Sequence, residues 1–592
     1  MKQPPLHIAR LAATLVALGL GGLPAQEYTT LQPTPAEQQI LEEYRTEAAT
    51  RRPATRTFKK EPEAKMPEDF SPWWIRGQSN TIGDAGRPQR LSVDELYARA
   101  IRHSSQIRVF SDLPLIRETG IQEARGAFDT NAYIQGKFDR ANDPVGNTLQ
   151  TGGASRFQQD QWSFETGIRK KVVTGAEVTV SQTLSRTDNN SVFFVPNPQS
   201  TARLSVSVVQ PLLKGAGVAY NRSVIQIARL DSDIAMQEFI RQSESHLLEI
   251  TRTYWALYAA RVTYLQKSRL VEDTARVADE LRARQKLDAG QSQLFRAESA
   301  LASRRSDLVR AEAAVRNAQD RLKALTSDPT LLNEADLEII PHDRMVLTPA
   351  AFDSESASRA ALENRPEINQ AFLQLRAATV REQMSRNELL PELNVVLQGS
   401  LGGLDDGEFG GAYGREFSTG GPGWGAGLVL SFPLENRIAR ARLERRRLEL
   451  RQQLDQLRTT IDTVLLEVKI SAREVATAYR ETHAKYAAVK AFTEDLETLQ
   501  ARRSLQAAGD DNAMAGYLDT MLDGQERRAL AEEEFIRAGA NYQISIVNLE
   551  RAKGRLLNYS AVDVVRDRDE KKLPLLHLDK GARAGKSVKS GQ

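Results

Sequence analysis

Two very long stretches of the chain repeat apolar residues at helical spacing. In the first, Leu247, Ile250, Tyr254 and Leu257 alternate spacings of three and four residues, which is the seam of a coiled coil. This pattern predicts one continuous helix from Ser223 to Ala289. Because a helix rises about 1.5 Å per residue, it would extend for about 100 Å, which is too long for the core of a compact domain.

A second helix of the same kind is predicted from Arg437 to Ala508. Its seam falls at aligned positions, namely Leu465, Val468, Ala472 and Val475. Return helices are predicted at about 293–325 and 518–557. Glycine often ends a helix because it adopts a left-handed conformation at little cost. The breaks before the return helices therefore predict hairpin tips, at Gly290 in the first and at Gly509, Asp510 and Asp511 in the second.

Six shorter segments alternate apolar and polar residues, as strands with one buried face do. They are predicted at 131–140, 161–173, 176–185, 201–210, 393–401 and 423–432. Their length of about nine to thirteen residues suits tilted strands that cross a membrane. Beyond the N-terminus, no run of eighteen apolar residues would allow a helical span. A membrane crossing would therefore have to use strands in a closed barrel.

The order of these elements occurs twice, which predicts a duplicated chain. Each half opens with a helix, predicted at 92–125 and at 354–387. Each then has strands, of which the last ends near a proline, Pro211 or Pro433, before the long helix. Leu247-Leu248-Glu249 aligns with Leu465-Leu466-Glu467. The halves are predicted at 91–325 and 354–558, with a linker at 326–353.

The N-terminus is typical of an export signal. Lys2 and Arg10 flank a short N-terminal region, an apolar stretch runs from Leu11 to Gly22, and a plausible cleavage point lies before Gln26. Residues 1–25 are thus predicted to be a signal peptide. We expect low order in the extension at 26–90 and disorder in the polar tail at 559–592. Without cysteine, the chain has no disulfide, thiolate ligand or acylated N-terminal cysteine.

Composition and motifs argue against catalysis and nucleic-acid binding. The 80 basic and 77 acidic residues leave a formal charge of +3, so no global basic field is present. The six histidines are scattered without paired-ligand spacing, and no G-x-S-x-G or P-loop occurs. We therefore predict no catalytic, cofactor-binding or metal-binding residues. The glycine-rich segment 402–421 is interpreted as a flexible external loop.

Several local sequences resemble the TolC-type outer membrane efflux protein family. They are "QPLLKG" at Gln210, "SFPLENR" at Ser431, "LDAGQSQLFRAESAL" at Leu287 and "YLDTMLDGQERRAL" at Tyr517. The resemblance covers about 91–558. It implies an α+β membrane protein, in which three copies form a 12-stranded β-barrel that continues into a long periplasmic coiled-coil α-barrel.

The function implied by this resemblance is a passive channel-tunnel, the exit duct of a tripartite efflux pump or of a type I secretion system. The implied localisation is the outer membrane, with the helical barrel in the periplasm. The implied partners are two further copies, a periplasmic adaptor, an inner-membrane transporter and outer-membrane lipid. The alternative reading is a trimeric coiled-coil structural protein or adhesin without transport activity.

The resemblance also implies roles for particular residues. Asp519 and Asp523 lie in a leucine–aspartate context similar to that of the family's tunnel mouth, where a ring of carboxylates would favour cations. The alternative is that both are solvated acids on the helix surface. The tip residues Gly290, Gly509, Asp510 and Asp511 would form the end that contacts the adaptor.

The sequence leaves the number of membrane-spanning strands open. The first half offers four strands where the family usually has two, and six per protomer would give an 18-stranded barrel. Arg169, Lys170 and Lys171 place charge on both faces of one strand, which favours the 12-stranded alternative. In that case the hairpin around Thr174-Gly175 would project as part of the external loop.

Overall fold

The computed structural model describes residues 87–284, 291–334, 337–350, 353–419, 421–502, 511–564 and 576–578, and scattered positions between 39 and 82. Its described residues fall into two compact units. The strand unit comprises residues 116–233 and 372–456. The helical unit comprises residues from 34–115, 234–371 and 457–592.

One antiparallel sheet of six strands dominates the strand unit. The strands are β2 (Thr130–Pro144), β3 (Arg156–Lys171), β4 (Glu177–Asn189), β5 (Gln199–Pro211), β7 (Glu392–Asp406) and β8 (Gly423–Ser431). Their order in the sheet is β2-β3-β4-β5-β7-β8, so both sequence halves contribute to it. All six predicted strands are present, and most are longer than predicted.

The register of this sheet separates apolar from polar side chains. Strand residues alternate between faces, and residues paired across strands share a face. What we call the apolar face carries Ile134, Phe138, Trp162, Phe164, Ile168, Val180, Leu184, Val206, Leu397 and Leu428. The polar face carries Gln135, Lys137, Ser163, Glu165, Thr179, Ser181, Thr183, Ser205, Ser207 and Gln398.

The strands meet the helices at one end of the sheet, which we call the helix-side rim. There the amide of Gly215, in the connection after β5, donates to Asn387 Oδ1 over 2.7 Å. The Asn436 side chain, just after β8, donates to the Leu389 carbonyl over 3.0 Å. The amide of Gly217 donates to the Thr174 carbonyl over 3.1 Å. The turn between β3 and β4 therefore lies at this rim.

This position corrects the prediction of a projecting hairpin. β3 and β4 are paired along their whole lengths within the sheet, and their turn packs against the connection that leads to the first long helix. Gly175 has φ +96°, and an added Cβ there would come too close to the Gly215 carbonyl and the Asn221 side chain. A glycine is needed where these two connections meet.

The long helices agree closely with the prediction. They are α4 (Val218–Arg284) and α10 (Arg437–Ala501), and the return helices are α5 (Gln291–Thr326) and α11 (Asp511–Ala552). Pro211 is the last residue of β5, and Pro433 lies between β8 and α10. At the predicted tips, Gly290, Gly509 and Asp510 lie outside the described residues. Asp511 is the first residue of α11, and its side chain also lies outside them.

Each helix predicted at the start of a half is two helices. The first half has α2 (Val93–His103) and α3 (Ser105–Gly126), and the second has α7 (Ser354–Asn364) and α8 (Pro366–Glu388). Pro366 disfavours a helical conformation at the residue before it, which explains the second break. At the first break, Ser104 Oγ lies 3.1 Å from His246 Nε2 and is buried.

The helical unit contains ordered pieces of the segments expected to have low order. In the N-terminal extension, α1 (Trp74–Gln78) packs Trp74 into the main core, and β1 (Arg87–Leu91) pairs in parallel with β6 (Leu337–Pro341). In the C-terminal tail, β9 (Val562–Val564) pairs with β10 (Leu576–Leu578) and buries Val562 and Leu576. The expectations of low order and of disorder are wrong for these segments. Their apolar side chains pack into a core that the local composition does not reveal. The remaining short helices are α6 (Pro329–Leu332) and α12 (Leu556–Tyr559).

A pair of ionic contacts reflects the duplication. Glu249 on α4 binds Arg321 on its return helix α5 over 2.6 Å. The aligned residue Glu467 on α10 binds Arg551 on its return helix α11. In each half, a glutamate of the long helix thus pairs with an arginine of the return helix, as expected of a duplicated chain. Among the described helices, none contains a stretch both long and apolar enough to cross a membrane.

Candidate functional site

The candidate site lies where α4, α5 and α11 pack together near the predicted carboxylates. A small apolar cluster holds this region together, formed by Ala278, Leu281, Leu294, Ala297 and Leu301 with Leu518 and Leu522 against it. Small and branched side chains allow three helices to approach closely. Next to the cluster lies a group of polar side chains, which we call the polar layer: Asp273 and Thr274 on α4, Arg304 on α5, and Gln525 and Arg528 on α11.

Arg304 is the centre of the polar layer. Its side chain is only 7% exposed and donates to the Leu522 carbonyl over 2.7 Å, to Gln525 Oε1 over 3.3 Å and to Thr274 Oγ1. Burial lowers the pKa of its guanidinium, while Glu526, 3.5 Å away, raises it. A buried charge of this kind is tolerated because it is hydrogen-bonded on several sides. Arg304 thus joins three helices.

A second buried pair connects the same helices. Arg528 on α11 lies 3.1 Å from Asp273 on α4, and both side chains are almost fully covered. Removing one partner of such a pair leaves an uncompensated charge, which is strongly destabilising. Farther along α11, Glu532 accepts a hydrogen bond from Trp73 Nε1 over 3.2 Å. Burial raises the pKa of the Glu532 carboxyl, against the opposing effect of that hydrogen bond.

The predicted carboxylates lie on the helix that carries Arg528. Asp523 is more than half exposed and forms an ion pair with Arg527 over 2.6 Å, one turn along α11. Asp519 is in the same helix, but its side chain lies outside those described. Asp523 is therefore available at a surface, although a neighbouring arginine offsets part of its charge. Sequence reasoning missed Arg527 as the partner, which its i, i+4 spacing could have indicated.

Sequence reasoning also missed the polar layer. Arg304 and Arg305 are adjacent arginines in a charged helix, and no local signal separates the buried one from its exposed neighbour. Only the position of α11, more than two hundred residues later, distinguishes them. In the described part of the chain, no group of three or more histidine, aspartate or glutamate side chains could hold a metal ion.

The polar layer yields a test with a matched control. Arg304→Met keeps an apolar stem but leaves its buried acceptors unsatisfied, at a cost of about 1–3 kcal/mol. We expect amide hydrogen exchange in α5 and α11 around the layer to accelerate about tenfold. Arg305→Met, which changes an exposed arginine one position away, should leave exchange unaltered. Equal exchange in both variants would show that Arg304 does not hold these helices together.

The comparisons with known proteins agree with this architecture. The profile of the family described as "Outer membrane efflux protein" matches residues 357–555. No curated protein matches the chain. Solved structures with a similar fold include the outer-membrane channel OprN, with a TM-score of 0.56 and 15% identity over 78% of this chain and 89% of that one.

Two further channels show the same likeness. The Campylobacter jejuni CmeC outer membrane channel has a TM-score of 0.57 and 14% identity, covering 78% of this chain and 86% of that one. The open state of the Neisseria gonorrhoeae MtrE outer membrane channel has a TM-score of 0.54 and 15% identity, covering 84% and 97%. These likenesses show a shared fold. Together with the family match, they confirm the resemblance: residues 357–555 match the outer membrane efflux protein family, and the chain has the fold of the solved outer-membrane channels.

Proposed function

We propose that the chain is one protomer of a homotrimeric channel-tunnel in the outer membrane. Its sheet would supply one third of a β-barrel, and its long helices would supply one third of a periplasmic tunnel. Solutes would pass outward through it from an inner-membrane transporter and a periplasmic adaptor, in a tripartite efflux pump or a type I secretion system. The channel would be passive, without catalysis or a cofactor.

The observation that carries this proposal is the sheet itself. It has one apolar and one polar face, and within the described residues its outer strands β2 and β8 each pair on one side only. An apolar face of this size is unfavourable in water. Unpaired strand edges are excluded from lipid. Closure with other copies places the apolar face in lipid, the polar face around a water-filled lumen, and leaves no edge.

The strand number of the proposed barrel follows from the sheet order. All six strands belong to one sheet, so three copies would close 18 strands rather than 12. Neighbouring protomers would join β8 of one to β2 of the next, and these run in opposite directions, as an up-and-down barrel requires. Since barrel diameter grows roughly in proportion to strand number, the lumen would be about half again as wide as that of a 12-stranded barrel.

The charged run in β3 is compatible with six spanning strands. Lys171 is the last residue of β3, so Arg169, Lys170 and Lys171 lie next to the helix-side rim. Arg169 is on the polar face, 3.1 Å from Glu177. Lys170 is on the apolar face, but at the rim a lysine can extend its amine to the headgroups and to water. These three charges would lie at the membrane interface, so they do not prevent β3 from crossing the membrane.

Assembly and conductance test the function. The purified protein in detergent should have the mass of three chains, and in a planar bilayer it should open discrete pores. Cysteine pairs placed along β2 and β8 should form disulfides between protomers and give a trimer on a denaturing gel, whereas pairs on β2 and β4 should not. A folded protein that stays monomeric and conducts no ions would contradict the proposal.

The position of the β3–β4 turn tests the strand number. Because the chain has no cysteine, Thr174→Cys introduces a unique thiol. If all six strands span, a large polymer-linked maleimide should not label Thr174→Cys on intact cells but should label it after the outer membrane is permeabilised. Asn147→Cys, in the loop between β2 and β3, should be labelled on intact cells. Labelling of Thr174→Cys on intact cells would restore the 12-stranded alternative.

We also propose that Asp519 and Asp523 form part of a carboxylate ring at the tunnel mouth, with the tips around Gly290, Gly509, Asp510 and Asp511 as the adaptor-contacting end. Three copies would bring six carboxylates together, and such a ring favours cations. The ion pair of Asp523 with Arg527 refines this proposal. Three copies would bring three arginines to the ring, and their positive charge would weaken its negative electrostatic potential.

Ion selectivity tests the carboxylate ring. The double change Asp519→Asn with Asp523→Asn should weaken cation preference, since it removes negative charge from the mouth, whereas Arg527→Gln should strengthen it. Reversal potentials in a salt gradient would measure both. Glu533→Gln is a matched control, because Glu533 pairs with Arg537 at the same spacing farther along α11. Unchanged selectivity in the double variant would make these aspartates ordinary surface acids.

A further inference from the structure

The segment between β7 and β8 contains a helix where a flexible loop was expected. This helix, α9 (Phe409–Ser418), packs on the sheet over β7, β5 and β4. The prediction of a wholly flexible loop at 402–421 is wrong, since β7 also continues to Asp406. Three of the ten residues of α9 are glycines, each of which weakens a helix by about 1 kcal/mol. The helix therefore depends on its contact with the sheet.

The contact is on the apolar face of the sheet. Gly403 is paired with Ala202, and both belong to that face. A Cβ at Gly403 would overlap the Ala412 carbonyl and the Glu416 backbone, so the helix lies directly on this glycine. Gly399, on the same strand and the same face, has open space above it. The helix thus covers only the part of the apolar face near the external end of the strands.

The carboxylate of α9 points inward, and its arginine binds the sheet while its side chain stays about half exposed. Glu416 is fully buried, accepts a hydrogen bond from Gln182 Nε2 over 2.9 Å and receives another from the Leu204 amide. Arg415 binds Asp405 over 2.7 Å and donates to the Leu404 carbonyl over 3.1 Å. Gln182 is a polar exception on a mostly apolar face, and Glu416 lies against it.

The outward side of α9 is aromatic. Phe409, Tyr413 and Phe417 follow one another at i, i+4 spacing and form one stripe. Tyr413 is 50% and Phe417 56% exposed, and their rings stack edge to face with centroids 5.3 Å apart. A helix that buries its carboxylate and exposes its aromatic rings has the opposite polarity to a helix in water. Such polarity is favourable only where the surroundings are apolar.

We propose that α9 is an interfacial helix whose aromatic stripe contacts the lipids of the outer leaflet. The occupant is lipid because the stripe is continuous with the apolar face of the sheet and lies near its external end. Aromatic rings with a polar handle, such as Tyr413, are typical of the boundary between acyl chains and headgroups. This inference rests on the proposed function, since it requires the apolar face to meet lipid.

Fluorescence quenching by brominated lipids tests the contact. Phe417→Cys carries a fluorescent label in trimers reconstituted into vesicles whose acyl chains are brominated near the headgroup. Leu428→Cys, on the apolar face of β8, and Gln398→Cys, on the polar face of β7, serve as references. We expect the label at 417 to lose fluorescence to nearly the same extent as the label at 428. The label at 398 should be quenched by aqueous iodide instead.

The two references separate the inference from the proposed function. If 428 is quenched by lipid and 417 is not, α9 does not contact lipid and the inference is wrong while the channel stands. If 428 is not quenched by lipid, the apolar face does not meet the membrane and the proposed function fails. A label at 417 that neither lipid nor iodide quenches would place α9 against protein and would also overturn the inference.

A second pair of variants tests the contact that holds the helix. Gly403→Ala places a methyl group against the α9 backbone, whereas Gly399→Ala meets open space. Gly403→Ala should change the lipid quenching of the label at 417 and leave that at 428 unaltered. Gly399→Ala should change neither. If Gly403→Ala leaves the quenching at 417 intact, α9 is not held on the sheet as described.

Discussion

The hydrogen-bonding requirement of strand edges is the constraint on which the proposed assembly depends. One protomer has six strands in a single sheet, and in the described residues β2 and β8 each have a partner on one side only. In lipid, a backbone group without a partner costs several kcal/mol, and each edge has many such groups. The apolar face cannot meet lipid unless the edges are closed. Closure with further copies would satisfy this requirement, and the proposed trimer would then set the strand number and the lumen width.

Much of the fold could be predicted because its signals are local. The seam at Leu247, Ile250, Tyr254 and Leu257 specifies a helix within a few turns. Helix α4 begins five residues before its predicted start and α10 begins at its predicted start, whereas the predicted ends at Ala289 and Ala508 lie outside the described residues. Strand alternation is equally local. The position of the β3–β4 turn is not, since it depends on Gly175 packing against Gly215 and Asn221. The charged run in β3 therefore does not exclude a six-stranded sheet.

The residues of the candidate site likewise differ in whether local sequence alone can identify them. Asp523 is a candidate because of a resemblance of local sequence, and its ion-pair partner Arg527 lies one turn away on α11. Arg304 and Asp273 could not be identified, because their partners lie on α11 and only tertiary packing brings them together. The ordered part of the N-terminal extension was missed for the same reason. Trp74 enters a core built by helices far away in the sequence.

Helix α9 shows why composition alone misleads about this segment. Its glycines argue for a loop, and as an isolated peptide this segment would not be a stable helix. Gly403 instead permits a close approach of the α9 backbone, and Gly411 a close approach of the Asp405 side chain, while Glu416 reaches Gln182 and the aromatic stripe stays outside. In water this arrangement would bury charge and expose rings, both at a cost. The sheet beneath α9 has the same arrangement, because its large apolar side chains lie together on the face opposite its polar face. A single apolar surrounding accounts for both elements, whereas an aqueous one accounts for neither.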